Sequence, residues 1–148
     1  MPGTGGEPGR GPGRVLGLDL GDARIGVAIS DPERRLALPL GTVHVGQPPG
    51  ELKAIAALVD EHDVTLVVLG NPLSMSGEAG PAARHAAAFA DALLATIRVP
   101  IELHDERLST VEAERTLRDA GATGRARRRL VDRTAATVIL QSWLDAHA

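Results

Sequence analysis

Four acids in this chain stand where apolar segments end, the positions from which a carboxylate can reach bound metal or phosphate. Asp19 lies at the tip of Val15–Leu20, Asp105 and Glu106 follow Ile101–Leu103, and Asp132 heads the last apolar-periodic segment. Each has an ordinary alternative. Asp19-Leu20-Gly21 is common turn chemistry, Arg107 can pair with either neighbouring acid, and Asp132 fits a helix N-cap, a role that contributes about 1 kcal/mol. Together they mean something different, because two carboxylates about 4 Å apart repel by roughly 4 kcal/mol at an effective dielectric of 20. A cluster of Asp19, Asp132 and one of the middle pair needs protons or cations. With no cysteine in the chain, all-oxygen ligation selects Mg²⁺ or Mn²⁺. Two such ions can clamp the attacking water and the leaving oxygen of a phosphodiester. Arg125, Arg127, Arg128 and Arg129 stand just ahead of Asp132, placed to hold a substrate backbone.

Periodicity leaves the middle acid open. Side chains alternate faces along a strand, and parity from Ile101 and Leu103 favours Asp105. Strand ends twist and bulge, so Glu106 stays available. Competing chemistry is absent. The five histidines show no ligand spacing, and there is neither a Gly-x-Ser-x-Gly elbow nor a phosphate loop with its lysine.

The elements that must position these acids are an α/β set. Val15–Leu20 has Leu16, Leu18 and Leu20 on one face and Val15, Gly17 and Asp19 on the other, the pattern of a strand covered on both sides. Ile25–Ser30 is a second strand at hairpin distance. Leu36–Val45 is a third, which Pro39 pushes to an edge or bulge. Leu52, Ile55, Val59 and His62 give Glu51–His62 a helical period, and Thr65–Leu69 is a buried strand. Gly70–Gly80 reads as a loop. Pro81 then opens a helix to about Arg98, with Ala83, Ala86, Ala90, Leu93, Leu94 and Ile97 inward. Ser109-Thr110-Val111-Glu112 is a capping box for a helix closed by Gly121. Asp132 starts the final helix, to about Ala146, with Ala135, Val138, Ile139 and Trp143 inward. Hairpin-linked strands followed by helix-alternated ones imply a mixed five-stranded sheet with helices on both faces.

At 148 residues, the chain fits one domain, 14–148, behind a Gly/Pro-rich tail, 1–13, expected to be disordered. No apolar run approaches the roughly 20 residues of a membrane span, and the lack of cysteine suits a reducing cytoplasm. One Trp, one Phe and no Tyr leave few rings for stacking bases. The net charge of −3 hides a basic stretch, eight arginines against four acids between Arg107 and Arg133. Arginine forks onto phosphate better than lysine does, so the stretch suits a local anion site as well as it suits a solvated surface.

Four pieces in one order make the chain resemble the YqgF/RuvX family, of ribonuclease-H-like fold and related to Holliday-junction resolvases. They are Asp19-Leu-Gly with Arg24-Ile-Gly-Val-Ala, the loop Gly70-Asn-Pro-Leu-Ser-Met-Ser-Gly, Asp105-Glu-Arg-Leu-Ser-Thr, and Val131-Asp132 with Ala135-Ala136, Ile139-Leu140 and Leu144. They span residues 14–146. The resemblance implies catalytic and metal-holding roles for Asp19, Glu106 and Asp132, with Asp105 as the alternative ligand. It also implies phosphate contacts from Arg24, Arg107, Arg125, Arg127, Arg128 and Arg129. The implied activity is that of a cytoplasmic, metal-dependent nuclease trimming the 5′ end of precursor 16S ribosomal RNA. Two alternatives are a resolvase of four-way DNA, which would cut symmetric strands as a homodimer, and a non-catalytic nucleic-acid or ribosome-assembly binder. Asn71 departs from the family's usual apolar residue, and Arg replaces the Lys often found ahead of the last Asp.

Overall fold

A computed structural model of the chain describes residues 12–72, 80–107 and 134–148. The expected tail, apart from Pro12 and Gly13, lies outside them, as do the helix after Ser109, Asp132, and Arg125, Arg127, Arg128 and Arg129. Five strands form one sheet: β1 Arg14–Leu20, β2 Arg24–Ser30, β3 Ala37–His44, β4 Val64–Asn71 and β5 Ile101–Asp105. Their order is β3-β2-β1-β4-β5. The pairs β1–β2 and β2–β3 are antiparallel, while β1–β4 and β4–β5 are parallel. The sheet is therefore mixed, as the hairpin-then-crossover pattern requires.

Helices cover both faces. Helices α1, Glu51–Glu61, and α2, Pro81–Leu94, lie on one, and α3, Ala135–Ala146, on the other. The alternation in β1 divides the core accordingly. Leu16 and Leu18 join Ile25, Val27, Val67, Leu69, Ile55 and Leu93 on the α1/α2 side. Val15 joins Ala28, Leu66, Val68, Ile139, Leu140 and Trp143 under α3. Burying each such side chain contributes about 1.5–3 kcal/mol. Pro39 sits on the edge strand β3 beside a register shift opposite Val27 and Ala28, where its missing N–H does least harm.

Helix α3 is fixed close to β1. A Cβ on Gly17 would lie 2.8 Å from the Cβ of Leu140, so only glycine permits this approach. Towards its far end, Gln141 accepts from the Ala37 N–H at 2.8 Å and donates to the Arg35 carbonyl at 3.0 Å. No helix among the described residues is long and apolar enough to cross a membrane.

Three details differ from the sequence expectation. Strand β4 runs through Gly70 and Asn71, both read above as loop. Leu94 is exposed at 49% while Leu93 is fully buried, because α2 reaches its last turn there. The final helix begins at Ala135, and its N-cap is Thr134, whose side chain accepts from the Thr137 N–H. Asp132 therefore does not cap it. Ala135 consequently faces solvent, and the buried stripe is Ala136, Thr137, Ile139, Leu140, Trp143 and Leu144.

Candidate functional site

Asp19 is the sixth residue of β1, on the face covered by α3, and is half-buried. Its register partner on β2 is Gly26. A Cβ at Gly26 would lie 3.5 Å from Ala136 Cβ and 3.7 Å from Asp19 Cβ, which places the first turn of α3 over this end of the sheet. Asp19 thus stands at the carboxyl end of a central strand, beside a helix N-terminus whose dipole favours negative charge.

Glu106 is the acid that the fold brings to Asp19. Strand β5 extends two residues past Leu103, and the inward face is that of His104, which is 8% exposed, whereas Leu103 is 44% exposed. Glu106 follows the end of the strand, and its side chain lies under α3, on the same side of Gly70 as Ile139. His104 is held there by a 3.0 Å hydrogen bond between Nε2 and Ser142 Oγ on α3. A Cβ on Gly70 would meet Glu106 Oε1 at 2.7 Å and Ile139 Cδ1 at 2.8 Å. Gly70 is therefore the seat on which the Glu106 side chain rests. A glycine inside a strand marks such a close approach, and this was the available sequence signal for it.

Asp19 and Glu106 are hydrogen-bonded to each other through their side chains. Burial raises the pKa of both. For Glu106, the charge of Asp19, the hydrogen bond between them and the charge of Asp105 add to burial and push it up to about 7. For Asp19, the bond from Glu106 offsets part of the rise. As pH falls below about 7, the pair accordingly takes up a proton, with the Glu106 carboxyl donating to the Asp19 carboxylate.

Asp105 is engaged elsewhere. Arg107 Nε lies 3.0 Å from both carboxylate oxygens, Nη2 lies 2.7 Å from Oδ2, and the Arg107 N–H donates to Oδ1 at 3.0 Å. This fork holds the Asp105 carboxyl below its ordinary range, chiefly through the Arg107 side chain. The parity argument from Leu103 selected the wrong face for a partner of Asp19. Arg24 opens β2 and is exposed, on the same face as Gly26.

Asn71 ends β4, in register with Asp105. Its Oδ1 is buried, and no donor among the described residues reaches it. A buried unsatisfied acceptor costs about 1–3 kcal/mol. Asn71→Leu, which keeps the side-chain shape, is therefore expected to raise the thermal midpoint by about 2–6 °C in a circular dichroism melt. A lower midpoint would reveal a donor from outside the described residues.

Comparison with known proteins agrees with this architecture. The model of the RuvX family, described as Holliday junction resolvase, matches residues 13–146. A relative from Anaeromyxobacter sp. (strain Fw109-5), whose provisional name is pre-16S rRNA nuclease, is 51% identical over 132 residues, covering 89% of this chain and 96% of the relative. One from Mycobacterium ulcerans (strain Agy99), with the same provisional name, is 45% identical and covers 94% and 82%. Among solved structures, Thermus thermophilus RuvC aligns with a TM-score of 0.53 at 14% identity, covering 90% of this chain and 95% of that one. The same protein in complex with a Holliday junction substrate gives 0.52 at 15%, covering 90% and 94%. At that identity, the likeness establishes the fold: a RuvC-like, ribonuclease-H-like sheet.

Proposed function

Because the chain belongs to the RuvX family, we propose that it is a metal-dependent nuclease that hydrolyses phosphodiester bonds at Asp19, Glu106 and Asp132, with the 5′ end of precursor 16S ribosomal RNA as substrate. One observation carries this reading: carboxyl groups 87 positions apart in sequence are hydrogen-bonded to each other, with Glu106 resting on Gly70, at the carboxyl ends of the strands. An enzyme of open α/β architecture binds ligands at that edge. Asp132, the third acid of the proposed set, lies outside the described residues and stands two positions ahead of Thr134 in the sequence. Thr134 caps the helix whose first turn covers Gly26.

The donor set fits a hard divalent cation. It is all oxygen, and a pair that needs a shared proton when alone can exchange that proton for Mg²⁺ or Mn²⁺. When bound, the cation supplies Lewis-acid neutralisation of charge on the scissile phosphate. The chain's own residues do the rest. Asp19 and Glu106 hold the cation side of the site, Glu106 giving up its proton, and Asp132 completes the set. Arg24, with Arg125, Arg127, Arg128 and Arg129, holds substrate phosphates. His104 is turned away to Ser142 on α3. Arg107 orients the β5 tip through Asp105. The relatives' name points to RNA, and the family description to four-way DNA.

The test sets a precursor 16S leader RNA beside a four-way DNA junction, each with purified protein and Mg²⁺ or Mn²⁺. RNA cleavage that is lost in Asp132→Asn is the expected result. Cleavage of the junction alone moves the substrate to DNA. Binding without turnover, insensitive to Asp19→Asn but weakened by Arg127–Arg129→Ala, leaves a non-catalytic binder.

A further inference from the structure

The β2–β3 hairpin presents exposed polar side chains on the same face as Asp19. Opposed residues of an antiparallel pair project from one face. Asp19 is opposite Gly26, and Gly26 is opposite Thr42, so one row crosses three strands on the α3 side. One step nearer the tip, Arg24 is opposite His44. The core confirms these faces: Ala28 and Ala37 pack under α3, while Ile25 and Val43 pack on the α1/α2 side. Since the first turn of α3 covers Gly26, Arg24, Thr42 and His44 extend past the helix, and all three are exposed.

Strands lie about 4.8 Å apart, which puts Thr42 roughly 10 Å from Asp19 across a floor kept low by Gly26. Guanidinium, hydroxyl and imidazole are all phosphate donors. The neighbouring acids are Asp22 in the β1–β2 turn and Glu51, which accepts from the Gly46 N–H at 3.2 Å. We propose that Thr42 and His44 extend the binding surface from Arg24, holding phosphates next to the scissile one so that the polynucleotide crosses the sheet from β1 to β3. This rests on the nuclease reading and adds to it a direction for the strand and two residues that hold it.

Fluorescence anisotropy without divalent cation tests the row, using labelled single-stranded RNA and a labelled four-way DNA junction. Thr42→Glu and His44→Glu are each expected to weaken binding of at least one probe about tenfold. Lys53→Glu, an exposed charge change on α1 across the sheet, is expected to stay within about twofold. Thermal melts matching wild type show that the variants fold. The probe that loses affinity identifies whether the held phosphates are those of RNA or DNA. Wild-type affinity in both row variants, or an equal loss in Lys53→Glu, overturns the proposal while leaving the nuclease reading intact. Failure of the wild-type protein to bind either probe overturns the row, and the cleavage assay with Mg²⁺ or Mn²⁺ decides the nuclease reading separately.

Discussion

Glu106→Gln is expected to lower the cleavage rate by about a thousandfold, while Asp105→Asn changes it by less than about tenfold. The two substitutions replace carboxyl groups one residue apart. Glu106 faces Asp19 across the Gly70 seat, whereas the Asp105 carboxylate is held in the Arg107 fork. Breaking that fork removes a partly exposed ion pair of small net value. Asp19→Asn is expected to match Glu106→Gln, and the double variant to lose little more, since residues acting as a unit are not additive. Stability separates this outcome from simple unfolding. Gln relieves repulsion and keeps the hydrogen bond to Asp19, so Glu106→Gln should melt higher than wild type at pH 8 even as activity collapses. That opposition is the mark of a site held in a costly arrangement for function. Equal losses in the Asp105 and Glu106 variants would move the site away from the pair.

The sequence carried the fold well where both periodicity and chain order spoke. The alternation in β1 separates Leu16 and Leu18 from Val15 and Asp19, and the structure keeps that division between two core layers. Pro39 marked the edge strand correctly. The middle acid was not legible from periodicity, because β5 ends the sheet and its apolar pattern misleads. Leu103 lies exposed, while His104, polar in type, is buried by its bond to Ser142 on a helix 38 residues later. Hydrophobicity alone assigns those two faces backwards. The cap of α3 failed for a different reason: Asp132 and Thr134 are both good N-caps, and only the backbone shows which one the helix uses. The resemblance to a family pointed to Glu106 where parity could not, and Gly70 explains physically how that residue reaches Asp19.

The shared proton makes stability depend on pH in a direction set by the pair. Glu106 titrates near 4.5 in the unfolded chain and at about 7 when folded, and Asp19 is raised as well. Between those values the folded state binds a proton that the unfolded state has released, so stability falls as pH rises through the window. At 1.36 kcal/mol per unit, and with about half retained once water screens a half-buried site, the loss is about 1–2 kcal/mol. His104 contributes the opposite slope, because burial lowers its pKa and its stability is lost as pH falls. The difference between wild type and Glu106→Gln isolates the pair. In chelator, wild type is expected to lose about 3–6 °C relative to that variant between pH 5 and 8. Mg²⁺ or Mn²⁺ should close that gap at pH 8 by binding the ionised pair of the wild type. It should do little at pH 5, where the proton already occupies that place, and little at any pH in Glu106→Gln. A melting curve indifferent to cation at pH 8 would mean that the ionised carboxyl pair takes up no metal, and the metal-dependent mechanism would fail with it.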